Sequence, residues 1–266
     1  MDQCDVLLFV ATKTELEELE KSARARGASF DLIPVADEEK HLPRESYWLG
    51  MVGDYRIIAV KTRMGAIGDG GSAALGLHYV QRTHATSVIC LGMAFGISAK
   101  FQSFGDVLVS ESVFPYDARA IVPDGDRWRY DYAKARTYKA NPVTAKILDA
   151  HRARVTEFKV HPGCLLSGNA AIRSGAFRDD LLRWSQNVAS KVVGGEMEGA
   201  GLLALAPRAY PNWTIVKGIC DFAGDEQKDD AEEHRDQACA NAAGFVLDAL
   251  AQWDGGGVAA AQDEKQ

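Results

Sequence analysis

Three carboxylate-bearing segments stand out because each follows an apolar run of strand length. Glu196-Met197-Glu198-Gly199 comes directly after Lys191–Val193, Asp221 closes Lys217-Gly218-Ile219-Cys220-Asp221 behind the run Trp213–Ile219, and Glu15 follows Val6–Ala11. Carboxyl groups pass protons to and from reacting groups when burial or a neighbour tunes them. Each also has an ordinary use: an acid in a first helical turn favours the dipole, and an Asp after a strand caps or turns the chain. Residues at i,i+2 do not share a helical face, so at most one of Glu196 and Glu198 is expected to address a ligand. Their common place lifts the set above capping. All three segments sit at the carboxyl ends of predicted strands, the crevice where open α/β sheets bind ligands.

Other chemistries fail on residue type. Gly68-x-Gly70-x-x-Ala73 follows a strand and opens a helix, but no Asp or Glu occurs between Gly71 and Gly105 to hold a dinucleotide's ribose. Its glycines are expected to turn the chain tightly or to bring bare backbone to a ligand. Gly92-Met93-Ala94-Phe95-Gly96 sits where a hydrolase would place its serine, and Ala94 has no hydroxyl. Six histidines form no metal-binding pair, and each is expected to be a surface or packing residue; no metal or other cofactor is expected. The five cysteines (Cys4, Cys90, Cys164, Cys220, Cys239) are scattered and odd in number, as buried free thiols of a reducing, cytoplasmic compartment would be. Thirty Lys and Arg against 37 Asp and Glu leave a net charge of −7, which argues against a nucleic-acid polymer as partner. No apolar run is long enough to cross a membrane.

The elements that must position these groups alternate along 266 residues. Strands are expected at Val6–Ala11, Arg56–Thr62, Ser87–Leu91, Gly105–Ser110, Val160–Leu166, Lys191–Val193 and Trp213–Ile219. Thr14 and Glu17 read as a capping box opening a helix that runs to Gly27. Further helices are expected up to about Val80, at Pro142–His151, Arg178–Ser185, Met197–Ala206 and Asp229–Trp253, with long surface loops over Glu111–Ala140. Such alternation predicts an α/β sheet covered on both faces. One domain is expected over residues 1–253, and the stretch 254–266, with Gly255-Gly256-Gly257, reads as a flexible tail or a stub leading to a further domain.

Five segments in order resemble the nucleoside phosphorylase and nucleosidase superfamily, especially its methylthioadenosine/S-adenosylhomocysteine nucleosidase branch. They are Phe9–Glu15, Lys61–Gly65, Gly92–Asp106, Leu166–Ile172, and Gly195–Gly199 with Lys217–Asp221. Versions carrying Lys-Gly-Ile-Cys-Asp resemble effector modules of defence proteins. The resemblance implies a three-layer α/β/α sandwich with a mixed central sheet, a homodimer or higher homo-oligomer, and hydrolysis of the N-glycosidic bond of an adenine nucleoside or nucleotide. It implies that Asp221 protonates the purine, Glu15 orients or deprotonates water, Glu198 holds the ribose diol with Met197 and Glu196, and Ile172 reads the adenine edge. Ala94, Phe95, Thr62, Arg63, Lys217 and Phe222 complete the implied substrate contacts, with Phe222 as a candidate for base stacking because Ala171 stands where the family has an aromatic. Met93, Lys217, Cys220 and Ala171 differ from the family's usual residues, which suggests a substrate other than methylthioadenosine. Lys13, Arg63, Arg119 and Arg173 are loop cations that could hold phosphates, or could be solvated surface charges. A phosphate-dependent purine nucleoside phosphorylase and a non-catalytic nucleotide-binding module remain the alternatives. The stretch Thr12-Lys13-Thr14-Glu15 lacks a phosphate loop and favours hydrolysis.

Overall fold

The computed structural model describes residues 3–34, 45–132, 134–140, 142–186, 188–205, 212–224 and 228–253. The tail read at 254–266 and His41 lie outside the described residues.

The order is β1 (Val6–Val10), α1 (Lys13–Ala25), β2 (Asp31–Leu32), β3 (Glu45–Val52), β4 (Tyr55–Lys61), α2 (Ser72–Thr83), β5 (Ser87–Gly96) and β6 (Val107–Pro115). There follow β7 (Ala120–Asp124), β8 (Arg127–Asp131), β9 (Tyr138–Lys139), α3 (Pro142–Arg152), β10 (Val160–Ser167) and α4 (Gly175–Ser185). Last come β11 (Val192–Glu196), α5 (Gly199–Leu202), β12 (Asn212–Asp221) and α6 (Lys228–Ala251). The main sheet runs β11-β10-β6-β12-β5-β1-β4-β3-β2, with β9 on β6. It is mixed, as expected: β1 is parallel to β4 and β5, while β12 is parallel to β5 and antiparallel to β6. One end curls round, so that β11 pairs back onto β5 through Gly194–Gly96 and Gly195–Phe95.

Strand alternation divides the core into layers. Val6, Leu8 and Val10 pack with residues of α1, α3 and α6, while Leu7 and Phe9 pack with α2 and α5 on the opposite face. Complete burial of Leu7 and Leu8 stabilises the fold by about 1.5–3 kcal/mol each. A third cluster joins Phe114, Tyr132 and Leu181 under the β7–β8 hairpin.

Several boundaries depart from expectation. β5 continues through Gly92–Gly96 instead of turning, because β12 pairs with it as far as Phe95. β11 likewise runs on to Glu196, which ends a strand and does not open a helix. The helix expected from Met197 is the single turn α5. Residues 111–140, read as loops, hold the rest of β6, the β7–β8 hairpin and β9; the hairpin is largely exposed on both sides and so lacks an apolar run.

Candidate active site

The chain between β1 and α1 aims Glu15 inward. Thr12 is the N-cap of α1: its hydroxyl accepts from Glu15 N at 3.2 Å, and Glu15 Oε2 accepts from Thr12 N at 2.8 Å and Ala11 N at 2.7 Å. The capping box therefore lies two residues before the expected Thr14/Glu17 pair, and Glu17 instead pairs with Lys13 at the surface. Capping uses one oxygen only. Oε1 accepts from Met93 N at 2.9 Å across the crevice. Gly92 is required for this approach: its φ is +142°, and a Cβ there would overlap the Glu15 carboxylate.

Glu196 and Glu198 both line the cavity, contrary to the expectation that one would turn away, because the first ends a strand. Glu196 Oε2 accepts from Glu198 N and Gly199 N, each at 2.8 Å, and so caps the following turn. Its Oε1 is buried with no hydrogen-bond partner among the described residues. Burial raises the Glu196 pKa; Lys217 opposes the rise and Glu198 adds to it. Glu198 Oε1 accepts from Gly65 N at 3.1 Å, and Oε2 accepts from Lys217 Nζ at 3.0 Å.

Lys217, on the central strand β12, is wholly buried, and its Nζ also lies 3.6 Å from Glu15 Oε1. Burial opposes the charged ammonium, but the carboxylates Glu198, Glu15 and Glu196 outweigh it and hold the pKa well above the ordinary lysine value. One cation thus ties together two carboxylates that are far apart in sequence. Cys90, Glu196 and Glu198 bring ligand-type atoms within 4.8 Å of one another, the one such group found among the described residues. The Lys217 ammonium already supplies positive charge there, and burial pushes the Cys90 thiol well up, away from the thiolate that binds metals.

Asp221 ends β12. Its Oδ1 accepts from Ala223 N at 2.8 Å, and the Cys220 thiol donates to Oδ2 at 3.4 Å. Glu15, Glu196, Met197, Glu198 and Asp221 border one cavity of about 550 Å³, closed elsewhere by Ala94, Phe95, Ile172, Arg173 and Arg235 among others. That is the size and mixed character of a small-molecule site.

Four expected contacts lie off its lining. Thr62 is buried and its hydroxyl donates to Val10 O at 3.4 Å. Arg63 turns outward to Asp69 at 2.7 Å. Lys217 lies beneath the lining carboxylates. Phe222 packs against Phe104 and Gly96, so it does not offer the expected stacking face, whereas Phe95 lies against Gly195 and does line the cavity. Of the four loop cations, Arg173 alone lines it; Lys13 pairs with Glu17, and Arg119 lies over the Tyr130 ring. Sequence reasoning missed Thr12, Met64 and Arg235. Arg235 stands one turn before Cys239, whose thiol feels Glu15 and Lys217, so this face of α6 covers the site.

No helix among the described residues is long and apolar enough to cross a membrane. All five cysteines are free and buried, as expected.

Residues 5–251 match the family described as the Phosphorylase superfamily. A Death domain-containing ATP nucleosidase of Amphimedon queenslandica is 25% identical over 178 residues, covering 60% of this chain but only 32% of that protein. The 5'-methylthioadenosine/S-adenosylhomocysteine nucleosidase of Geobacillus sp. (strain WCH70) is 23% identical over 214 residues, 79% of this chain and 87% of the relative. The solved nucleosidase of that kind from Neisseria meningitidis, in complex with methylthio-immucillin-A, superposes with a TM-score of 0.74 at 16% identity over 94% of this chain and 99% of its own. Futalosine hydrolase of Helicobacter pylori gives 0.71 at 16% identity, over 92% and 96%.

Proposed function

The chain belongs to the phosphorylase superfamily, and on that premise we propose that it is a purine nucleosidase, hydrolysing the N-glycosidic bond of an adenine nucleoside or its 5′-phosphorylated form. The observation that carries the reading is the buried Glu15–Lys217–Glu198 array beside Asp221 on the floor of one cavity. Breaking such a bond passes through an oxocarbenium-like state, which needs an acid at the leaving group, an oriented nucleophile and a hold on the sugar.

The array can meet those needs. The Asp221 carboxyl donates its proton to purine N7 as the C1′–N9 bond breaks, and the bonding pair leaves with the base. Water adds to C1′ and gives its proton to Glu15, whose Oε1 faces the crevice while Oε2 is held by two backbone amides. Glu198 accepts from the ribose diol, and its position is set by Lys217 and Gly65. Glu196 assists from behind, its Oε2 accepting from Glu198 N and Gly199 N and so fixing the turn that carries Glu198. Phe95 and Ile172 flank the base. The Glu15 carboxylate repels inorganic phosphate while it orients water, which supports hydrolysis over phosphorolysis. Arg173 on the lining supports a 5′-phosphorylated substrate, while Arg235 there is paired with Glu232 at 3.4 Å.

Beyond the site, exposed Met64 and Ile67 support a second copy covering this edge, and so a homodimer or larger assembly. Five buried free thiols support a cytoplasmic setting.

The test is release of free adenine from adenosine, methylthioadenosine, S-adenosylhomocysteine, AMP and ATP. Asp221→Asn should abolish release from every substrate the wild type accepts. Adenine from none of them, or undiminished release by the variant, overturns the assignment.

A further inference from the structure

Resting on the nucleosidase reading, we infer that Asn169 is a positioning residue: with Asp117 it latches the Gly65–Ile67 backbone so that the Gly65 amide holds Glu198 in place. Three consecutive amides of that loop point at two acceptors. Gly65 N donates to Glu198 Oε1 at 3.1 Å, and Ala66 N and Ile67 N donate to Asn169 Oδ1 at 3.0 and 3.3 Å. Gly65 has φ +95°, which favours glycine and lets the amides converge. The other end of the carboxamide is occupied too: Asn169 Nδ2 donates to Asp117 Oδ2 at 3.1 Å, and Asn169 N donates to the same oxygen at 2.7 Å.

The residue type follows from this. An amide both accepts from the loop and donates to Asp117; a carboxylate at 169 would accept from the loop but face Asp117 with like charge. The latch has a firm base. Tyr116 Oη donates to Ala170 O at 2.9 Å, and Gly168 is pressed against the Tyr116 ring, where a Cβ would overlap it. Arg119, which lies 3.8 Å from Asp117 and over the Tyr130 ring at 4.0 Å, backs the carboxylate from the hairpin side. Arg119 thereby acquires a use other than phosphate binding.

Without the latch, Glu198 keeps Lys217 but loses a fixed second donor, so its grip on the ribose diol loosens while Glu15 and Asp221 stay in place. Asn169→Asp is expected to raise KM about fivefold, the scale of one hydrogen bond of about 1 kcal/mol, and to leave kcat within about threefold. The exchanged pair Asn169→Asp with Asp117→Asn restores a donor facing an acceptor, and should recover most of the lost affinity. A 2′,3′-dideoxy substrate should show little difference between wild type and Asn169→Asp, since it has no diol to hold. The proposal is overturned by a single variant with wild-type KM, by an exchanged pair no better than the single, or by a deficit equal on the dideoxy substrate. Amide hydrogen exchange at Ala66 and Ile67 decides independently of turnover. If the wild type releases no adenine, faster exchange in Asn169→Ala upholds the latch while the nucleosidase reading falls, and unchanged exchange overturns the latch as well.

Discussion

Replacing Lys217 by Met should be the most damaging single change on the floor of the site, and its size can be worked out. The ammonium lies 3.0 Å from Glu198 and 3.6 Å from Glu15, with side-chain exposures of 0%, 7% and 2% respectively. At an effective dielectric of about 20, two such contacts are worth roughly 5 kcal/mol each before desolvation is subtracted. Burying three charged groups offsets much of that, and removing one partner of a buried pair costs about 3–5 kcal/mol because the other charge is stranded. For a domain of this size each kcal/mol moves Tm by about 2–4 °C, so the expected loss is roughly 6–20 °C. The pH dependence identifies the cause. The folded pKa of Lys217 is raised above the ordinary value of 10.5, so its contribution is complete below that value and is lost only as pH rises through the folded pKa. Between pH 5 and 8 the wild-type term is therefore constant. Any narrowing of the gap between Lys217→Met and wild type on acidification reflects protonation of the stranded carboxylates. Thermal unfolding followed by circular dichroism at pH 5, 6.5 and 8 measures this, with Lys217→Arg retaining the charge and losing less. A Met variant within about 2 °C of wild type at pH 8 would refute the reasoning.

Three further outcomes follow from the geometry. Gly92→Ala should lower Tm and cut adenine release by about tenfold or more, since its Cβ overlaps the Glu15 carboxylate; wild-type kinetics would contradict that packing. Because burial raises the folded pKa of Glu196 above the usual 4.5, its contribution is full below 4.5 and is lost as pH rises through the folded value. Glu196→Gln should therefore gain Tm relative to wild type between pH 4.5 and 8, and a gap constant across that range would contradict the assignment. Titration with an aromatic disulfide reagent should find almost no fast thiols in the native protein and all five after denaturation, since all are buried and burial pushes the Cys4 thiol up to about 11; rapid native labelling would show that the packing is looser.

The layers and the crevice were legible because the signals for them are local. Val6–Ala11 and Trp213–Ile219 are apolar runs buried on both faces, and the carboxylates that follow them do converge on one cavity. The capping box moved by two residues because Thr12 and Thr14 offer the same motif with Glu15 and Glu17, and the contact of Glu15 with Met93 that favours the first is long-range. Gly92 and Gly96 resembled turn residues; in fact they let strands and a carboxylate approach closely, a need that one chain segment cannot display. Arg63 and Arg235 changed places for a similar reason. A loop cation inside a matched segment looked nearer the site than one on the last helix, yet α6 folds over the cavity and Arg63 finds Asp69. The role of Lys217 was the least legible, since a lysine in an apolar strand is explained only by the carboxylates brought from β1–α1 and β11.

The central claim is that Glu15 directs water, not phosphate, to the sugar. It is tested most directly by the rate of adenine release from the preferred substrate in phosphate-free buffer, measured for wild type and Glu15→Gln and repeated with inorganic phosphate added. Steady release without phosphate, unchanged by its addition and reduced about 10²–10⁴-fold in Glu15→Gln, is the predicted result. Release that appears only with phosphate, yielding a sugar 1-phosphate and insensitive to Glu15, would contradict the account.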